Sequence, residues 1–98
     1  MKKVVILGTL DTKGAEFKFI KDIIESQGVQ ALVVNAGVLG IPHFKPDISN
    51  NIVAEAGGTE LAELIAANDR GRAVDVMMKG SAKVVSELEK QDMIAGII

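Results

Sequence analysis

The 98-residue chain has no cysteine, tryptophan or tyrosine and a single histidine, and aromatic residues make up 3% of it. Without cysteine there are no disulfides, no thiolate nucleophile and no cysteine-based zinc site. One histidine, His43 in I-P-H-F-K-P, supports neither a Ser/His/Asp set nor a histidine metal cluster, so no metal site is expected and no catalytic residue is assigned. Three phenylalanines give few platforms on which bases could stack. Excess charge of one sign is also missing: 11 basic against 13 acidic residues leave a net charge of -2, with no electrostatic footprint for nucleic acid or an anionic membrane. The apolar run behind Met1-Lys2-Lys3 is too short for a signal peptide, and no later run is long enough to span a membrane, which predicts a cytoplasmic protein.

What the chain does have is aliphatic material, 48% hydrophobic residues arranged in continuous runs and helically spaced stripes. Lys3 to Leu7 is a β-branched run typical of a strand buried on both faces of a parallel sheet. From Ala15 to Gln27 the residues Phe17, Ile20, Ile23 and Ile24 recur at helical spacing before Gly28, and Ala31 to Val34 repeats the buried-strand pattern. Strand, helix and strand make a βαβ unit. The stretch from Ala36 to Ile48 holds both prolines and reads as a long loop. Ser49 is positioned to cap a short helix to Ala56, Thr59 a second to Ala67 with Leu61, Leu64 and Ile65 inward, and Asp69 a longer third. In that last helix Ala73, Val76, Met77, Gly80, Val84, Val85 and Leu88 share one face, so Gly80 is read as interior to the helix. Ile94 to Ile98 begins a third strand. The expected architecture is α/β: a small parallel sheet of about three strands in the order 2-1-3, with helices on both faces and two candidate edges. A homo-oligomer, a downstream segment or a partner chain is expected to cover an edge.

The stretch G-T-L-D-T-K-G, Gly8 to Gly14, joins the first strand to the first helix. Its lysine precedes the second glycine, which is the wrong register for a P-loop, and no glycine stands two residues after Gly8 as a dinucleotide fingerprint requires. Two readings remain open. In one, Asp11 or Thr12 merely caps the helix. In the other, the helix amides and dipole, the hydroxyls of Thr9 and Thr12 and the cation of Lys13 hold an anionic ligand at the carboxyl ends of the strands. Asn35, Gly37 and Gly40 end the second strand and would line the same cleft, and Asp47 either caps the next helix or faces that cleft. Arg70 and Arg72 at a helix start are expected to pair with carboxylates, and Lys79-Gly80-Ser81 is read as packing rather than as a second anion motif.

The segments V-V-I-L-G-T-L-D-T-K-G-A-E at Val4 to Glu16 and V-V-N-A-G-V-L-G-I-P-H-F-K-P-D-I-S at Val33 to Ser49 carry a resemblance, with N-D-R-G-R-A-V at Asn68 to Val74 and M-K-G-S-A at Met78 to Ala82. Together they resemble the bacterial and fungal uncharacterised protein family related to the N-terminal ATP-binding region of the tomato mosaic virus resistance protein. The resemblance implies a Rossmann-like, three-layer N-terminal subdomain, residues 1–98, of a longer ATP-binding protein, with ATP and its Mg²⁺ in the cleft. The residues expected to bind it, from the strand-end reading above, are Thr9, Leu10, Asp11, Thr12, Lys13, Gly14, Asn35, Gly37 and Asp47. The resemblance also implies a glycine-rich loop beginning where this chain stops, and an aspartate in many relatives where this chain has Asn35. The alternative is a non-catalytic interaction or oligomerisation module.

Overall fold

The computed structural model describes residues 3–38 and 44–97, the side chains of Asp11 and Thr12 excepted; Gly40 and His43 lie outside the described residues. Three strands, β1 (Lys3–Gly8), β2 (Ala31–Asn35) and β3 (Ile94–Ile97), form one parallel sheet in the order β2-β1-β3, as the sequence predicts. Helix α1 (Leu10–Ser26) covers one face; α2 (Asn50–Ala56), α3 (Leu61–Ala67) and α4 (Arg70–Lys90) cover the other.

Alternation along the strands sorts the core into two layers. Ile6, Ala31 and Val33 pack with Leu10 and the α1 residues Phe17, Ile20 and Ile24. Val5, Leu32 and Val34 pack with Val53, Ala54, Leu64, Val76, Met77, Val84 and Leu88 from α2, α3 and α4. At the end of β1, Gly8 lies under the ring of Phe17, and a Cβ there would run into that ring. Glycine at this position therefore serves the approach of α1 to the sheet.

Helix α4 continues through Gly80 because α2 crosses it there. A Cβ on Gly80 would fall on the carbonyl oxygen of Val53, and one on Gly57 would fall on that of Val76, so two glycines let the two backbones touch. Asp69 caps α4, its Oδ1 accepting from the Arg72 N–H at 3.1 Å. Ser49 stands at the expected cap of α2, whereas α3 is capped by Glu60 and not by Thr59, and neither residue's side chain bonds the helix. Ile65 is not inward as expected: Leu64 takes the buried position, and Ile65 is 51% exposed.

The two edges of the sheet differ. The outer side of β2 is closed by residues 47 and 48, which run parallel to it. Asp47 Oδ2 accepts from the Val33 N–H at 2.7 Å, and the Ile48 carbonyl accepts from the Asn35 N–H at 3.0 Å. Nothing among the described residues pairs with the outer side of β3.

Candidate functional site

The stretch that reads as a loop is mostly helix. Thr9 alone connects β1 to α1, and residues from Leu10 onward already form its first turn, with a distortion at Lys13 (φ -123°, ψ 24°) before the regular helix begins. Leu10 is the reason: its side chain is buried in the α1 layer of the core, which pulls the turn onto the sheet and contributes about 2 kcal/mol by the usual measure of a buried leucine.

Asn35 fixes this turn from across the sheet. It is 1% exposed, and its Oδ1 accepts from the Leu10 N–H at 3.3 Å and from the Gly37 N–H at 2.9 Å. The Ala36 N–H donates to the Gly8 carbonyl at 2.8 Å, and Asn50 Nδ2 donates to the Gly37 carbonyl at 2.8 Å. The turns after β1 and β2 are thus held side by side. The first four amides of a helix have no carbonyl within it to bond. Leu10 is supplied by Asn35, and the helical ladder starts at the Lys13 N–H, which donates to the Thr9 carbonyl at 3.0 Å. Asp11 and Thr12 lie between them in the first turn, at the positive end of the helix dipole.

Beside these turns, on the face opposite α1, lies a crevice of about 280 Å³. Thr9, Ala36, Gly37 and Val38 form one wall; Leu64, Ala73, Val74 and Met77 give an apolar floor, and Asn68, Asp69 and Arg70 form the rim at the α3 to α4 turn. That turn is tight because Asn68 adopts the left-handed conformation (φ 50°) as the C-cap of α3. Among the described residues neither Arg70 nor Arg72 has an ion-pair partner, contrary to the expectation from sequence. Two such cations at the start of α4 oppose its dipole. That combination is the sequence signal for this wall of the site, and it reads as a local ion pair until the crevice is seen.

The predicted site residues therefore separate. Thr9 and Gly37 line the crevice. Asn35 stands behind it, holding the two turns, and Leu10 offers its side chain to the core and its amide to Asn35. Lys13 is exposed and Gly14 is buried in α1, while Asp11 and Thr12 sit in the first turn. Asp47 is away from the crevice, on the outer edge of β2. Lys79 pairs with Asp75 at 3.0 Å along α4 and Gly80 packs on α2, so that triplet is structural, as read.

Residues 2–98 match the model of the N-terminal domain of UPF0261, an uncharacterised protein family. The chain is 54% identical over 97 residues to a UPF0261 protein of Clostridium tetani, covering 99% of this chain and 24% of that protein. UPF0261 proteins of Brucella suis and Rhizobium meliloti are each 32% identical, over 98% and 100% of this chain and 23% and 24% of their own lengths. The chain thus spans about a quarter of the length of these relatives. No solved structure matches it significantly.

Proposed function

Because the chain belongs to the uncharacterised family UPF0261 and falls within its N-terminal domain, we propose, from the geometry of its strand ends, that this region binds a nucleotide, with ATP and its Mg²⁺ as the ligand. The ligand's name comes from the resemblance to the ATP-binding region of the tomato mosaic virus resistance protein, a wider kinship that is itself part of the proposal. The observation that carries the reading is the crevice where the turns after β1 and β2 meet the α3 to α4 turn. Open parallel sheets bind ligands outside the carboxyl ends of adjacent strands whose connections depart to opposite faces. Here α1 leaves β1 on one face and α2 follows β2 on the other.

The residues present fit such a group. Leu64, Ala73, Val74 and Met77 offer an apolar bed for a base, Thr9 and Asn68 offer hydrogen bonds, and Arg70 offers a cation to an anionic group. The positive end of the α1 dipole, which begins at Leu10 directly after the lining residue Thr9, adds to the attraction for an anion. Asp69 is the carboxylate of the lining and its Oδ1 is engaged by the Arg72 amide, so Mg²⁺ would arrive held by the phosphates rather than in a protein cage. A bound ATP would supply a triphosphate as its reactive part. A cytoplasmic location suits an ATP ligand and is part of the same proposal.

Titration of Mg·ATP into the chain, followed by calorimetry and by melting temperature, tests this. Binding is expected to raise the melting temperature with concentration, and Arg70→Ala is expected to weaken it about tenfold while leaving the ligand-free melting temperature in place. A melting temperature that stays flat to millimolar Mg·ATP would rule the reading out.

A further inference from the structure

The open side of β3 adjoins an apolar groove of about 530 Å³ between α4 and the sheet, lined by Leu7, Val74, Met78, Val85 and Ile97 among others. Val74 is 59% exposed, Met78 63% and Ile97 53%, so three large apolar side chains stand in water on one side of the molecule. The opposite edge is treated differently, since Asp47 and Ile48 satisfy the outward amides of β2. An open strand edge beside an apolar groove is a surface that folded proteins ordinarily cover.

We propose that this face seats the polypeptide that follows these 98 residues in a full-length UPF0261 protein: a strand adding in parallel to Ile94–Ile97, with its connecting helix in the groove beside Met78, Val85 and Ile97. Two observations select this occupant over a second copy. The relatives have about three quarters of their length beyond the matched part, since this chain covers 24% of the Clostridium tetani protein and matches a domain that is N-terminal. Handedness then fixes the face. The crossover from β2 to β3 runs over the α4 side of the sheet. A further right-handed crossover stepping outward from β3 travels in the same direction and must lie on the same side. That is the side on which the groove lies.

The inference does not rest on nucleotide binding, but it bears on it. Thr9, Ala36, Val74 and Met77 line both the crevice and the groove, so a helix in the groove forms the outer wall of the crevice.

Hydrogen exchange on a full-length family member and on the 98-residue chain, both without nucleotide, tests the docking directly. The amides of β3 are expected to exchange at least tenfold more slowly in the full-length protein. Met78→Glu is expected to lower the melting temperature of the full-length protein by several degrees and to leave that of the 98-residue chain within a degree. Equal exchange of β3 in the two proteins, or an equal effect of Met78→Glu in both, overturns the proposal. So does protection in the short chain that appears only as its concentration rises, which assigns the face to a second copy. Nucleotide titration plays no part in these readouts, so failure of one proposal is distinguishable from failure of the other.

Discussion

The side-chain oxygen of Asn35, at the end of β2, receives the N–H of Leu10, the first residue of α1, at 3.3 Å. A residue from the neighbouring strand thus does for α1 what a local serine or aspartate does for most helices. It also binds its own loop through the Gly37 N–H at 2.9 Å, so one buried amide sets the spacing of both turns.

Asn35→Ala leaves two buried donors without that acceptor and is expected to cost about 2 kcal/mol, read as a lower urea midpoint. Asn35→Asp keeps the acceptor and sets its charge against the positive end of α1, partly offsetting the cost of burying that charge. It should retain more stability than the alanine variant. An alanine variant that unfolds at the native midpoint would remove Asn35 from this role.

Gly80→Ala reverses the usual sign. In an exposed helix the change stabilises by about 1 kcal/mol. Here the added methyl meets the Val53 carbonyl, backbone that cannot swing aside. The expected outcome is a loss of about 2 kcal/mol, and a gain in melting temperature would show that α2 and α4 do not touch.

Asp47→Ala strips the Val33 N–H of the carboxylate it meets at 2.7 Å. A loss of about 1 kcal/mol is expected, together with faster hydrogen exchange at the Val33 amide. Asp47→Asn, which keeps an oxygen acceptor, is expected to restore most of that protection. Unchanged exchange in the alanine variant would mean that the carboxylate does not guard this edge.

Lys21 titrates above its ordinary value of 10.5, chiefly because its ammonium is hydrogen-bonded to Glu25 at 2.8 Å; desolvation opposes this, and the charges of Glu25, Asp22 and Asp47 add to the rise. A folded-state value raised in this way contributes stability that is fully present below the unfolded value and fades as pH rises through the folded one. Lys21→Gln is therefore expected to cost a few tenths of a kcal/mol at neutral pH. Thermal melts should show the difference shrinking only in strongly alkaline buffer, and a difference that vanished between pH 6 and 8 would contradict the assignment.

The fold was legible because the aliphatic runs at Val4 to Leu7 and Ala31 to Val34 and the stripe along α4 obey the periods of their elements. The site was half legible. Thr9 and Gly37 follow from strand-end logic, but Leu10 looks like one more loop residue until the sheet beneath it is known. Arg70, Asn68 and Ile65 reach the crevice through the turn between α3 and α4, which depends on the αL residue Asn68, and through the seating of α4 on α2 at Gly80 and Val53. Such long-range geometry leaves no periodic trace in a single sequence. Asp47 reads in the sequence as a helix cap or a cleft residue, and its bond to the Val33 N–H on the outer side of β2 is a third use of a carboxylate near a strand end that no local pattern announces.

The phenyl ring seated over Gly8 gives the leading glycine of G-T-L-D-T-K-G a steric duty inside the protein. A signature search that weights this glycine as a phosphate determinant would be scoring the clearance beneath an aromatic side chain. Homologues that replace it should be sorted by whether the residue at the Phe17 position has shrunk in step, a paired change that would preserve the approach of α1 to the sheet with no bearing on what the crevice holds.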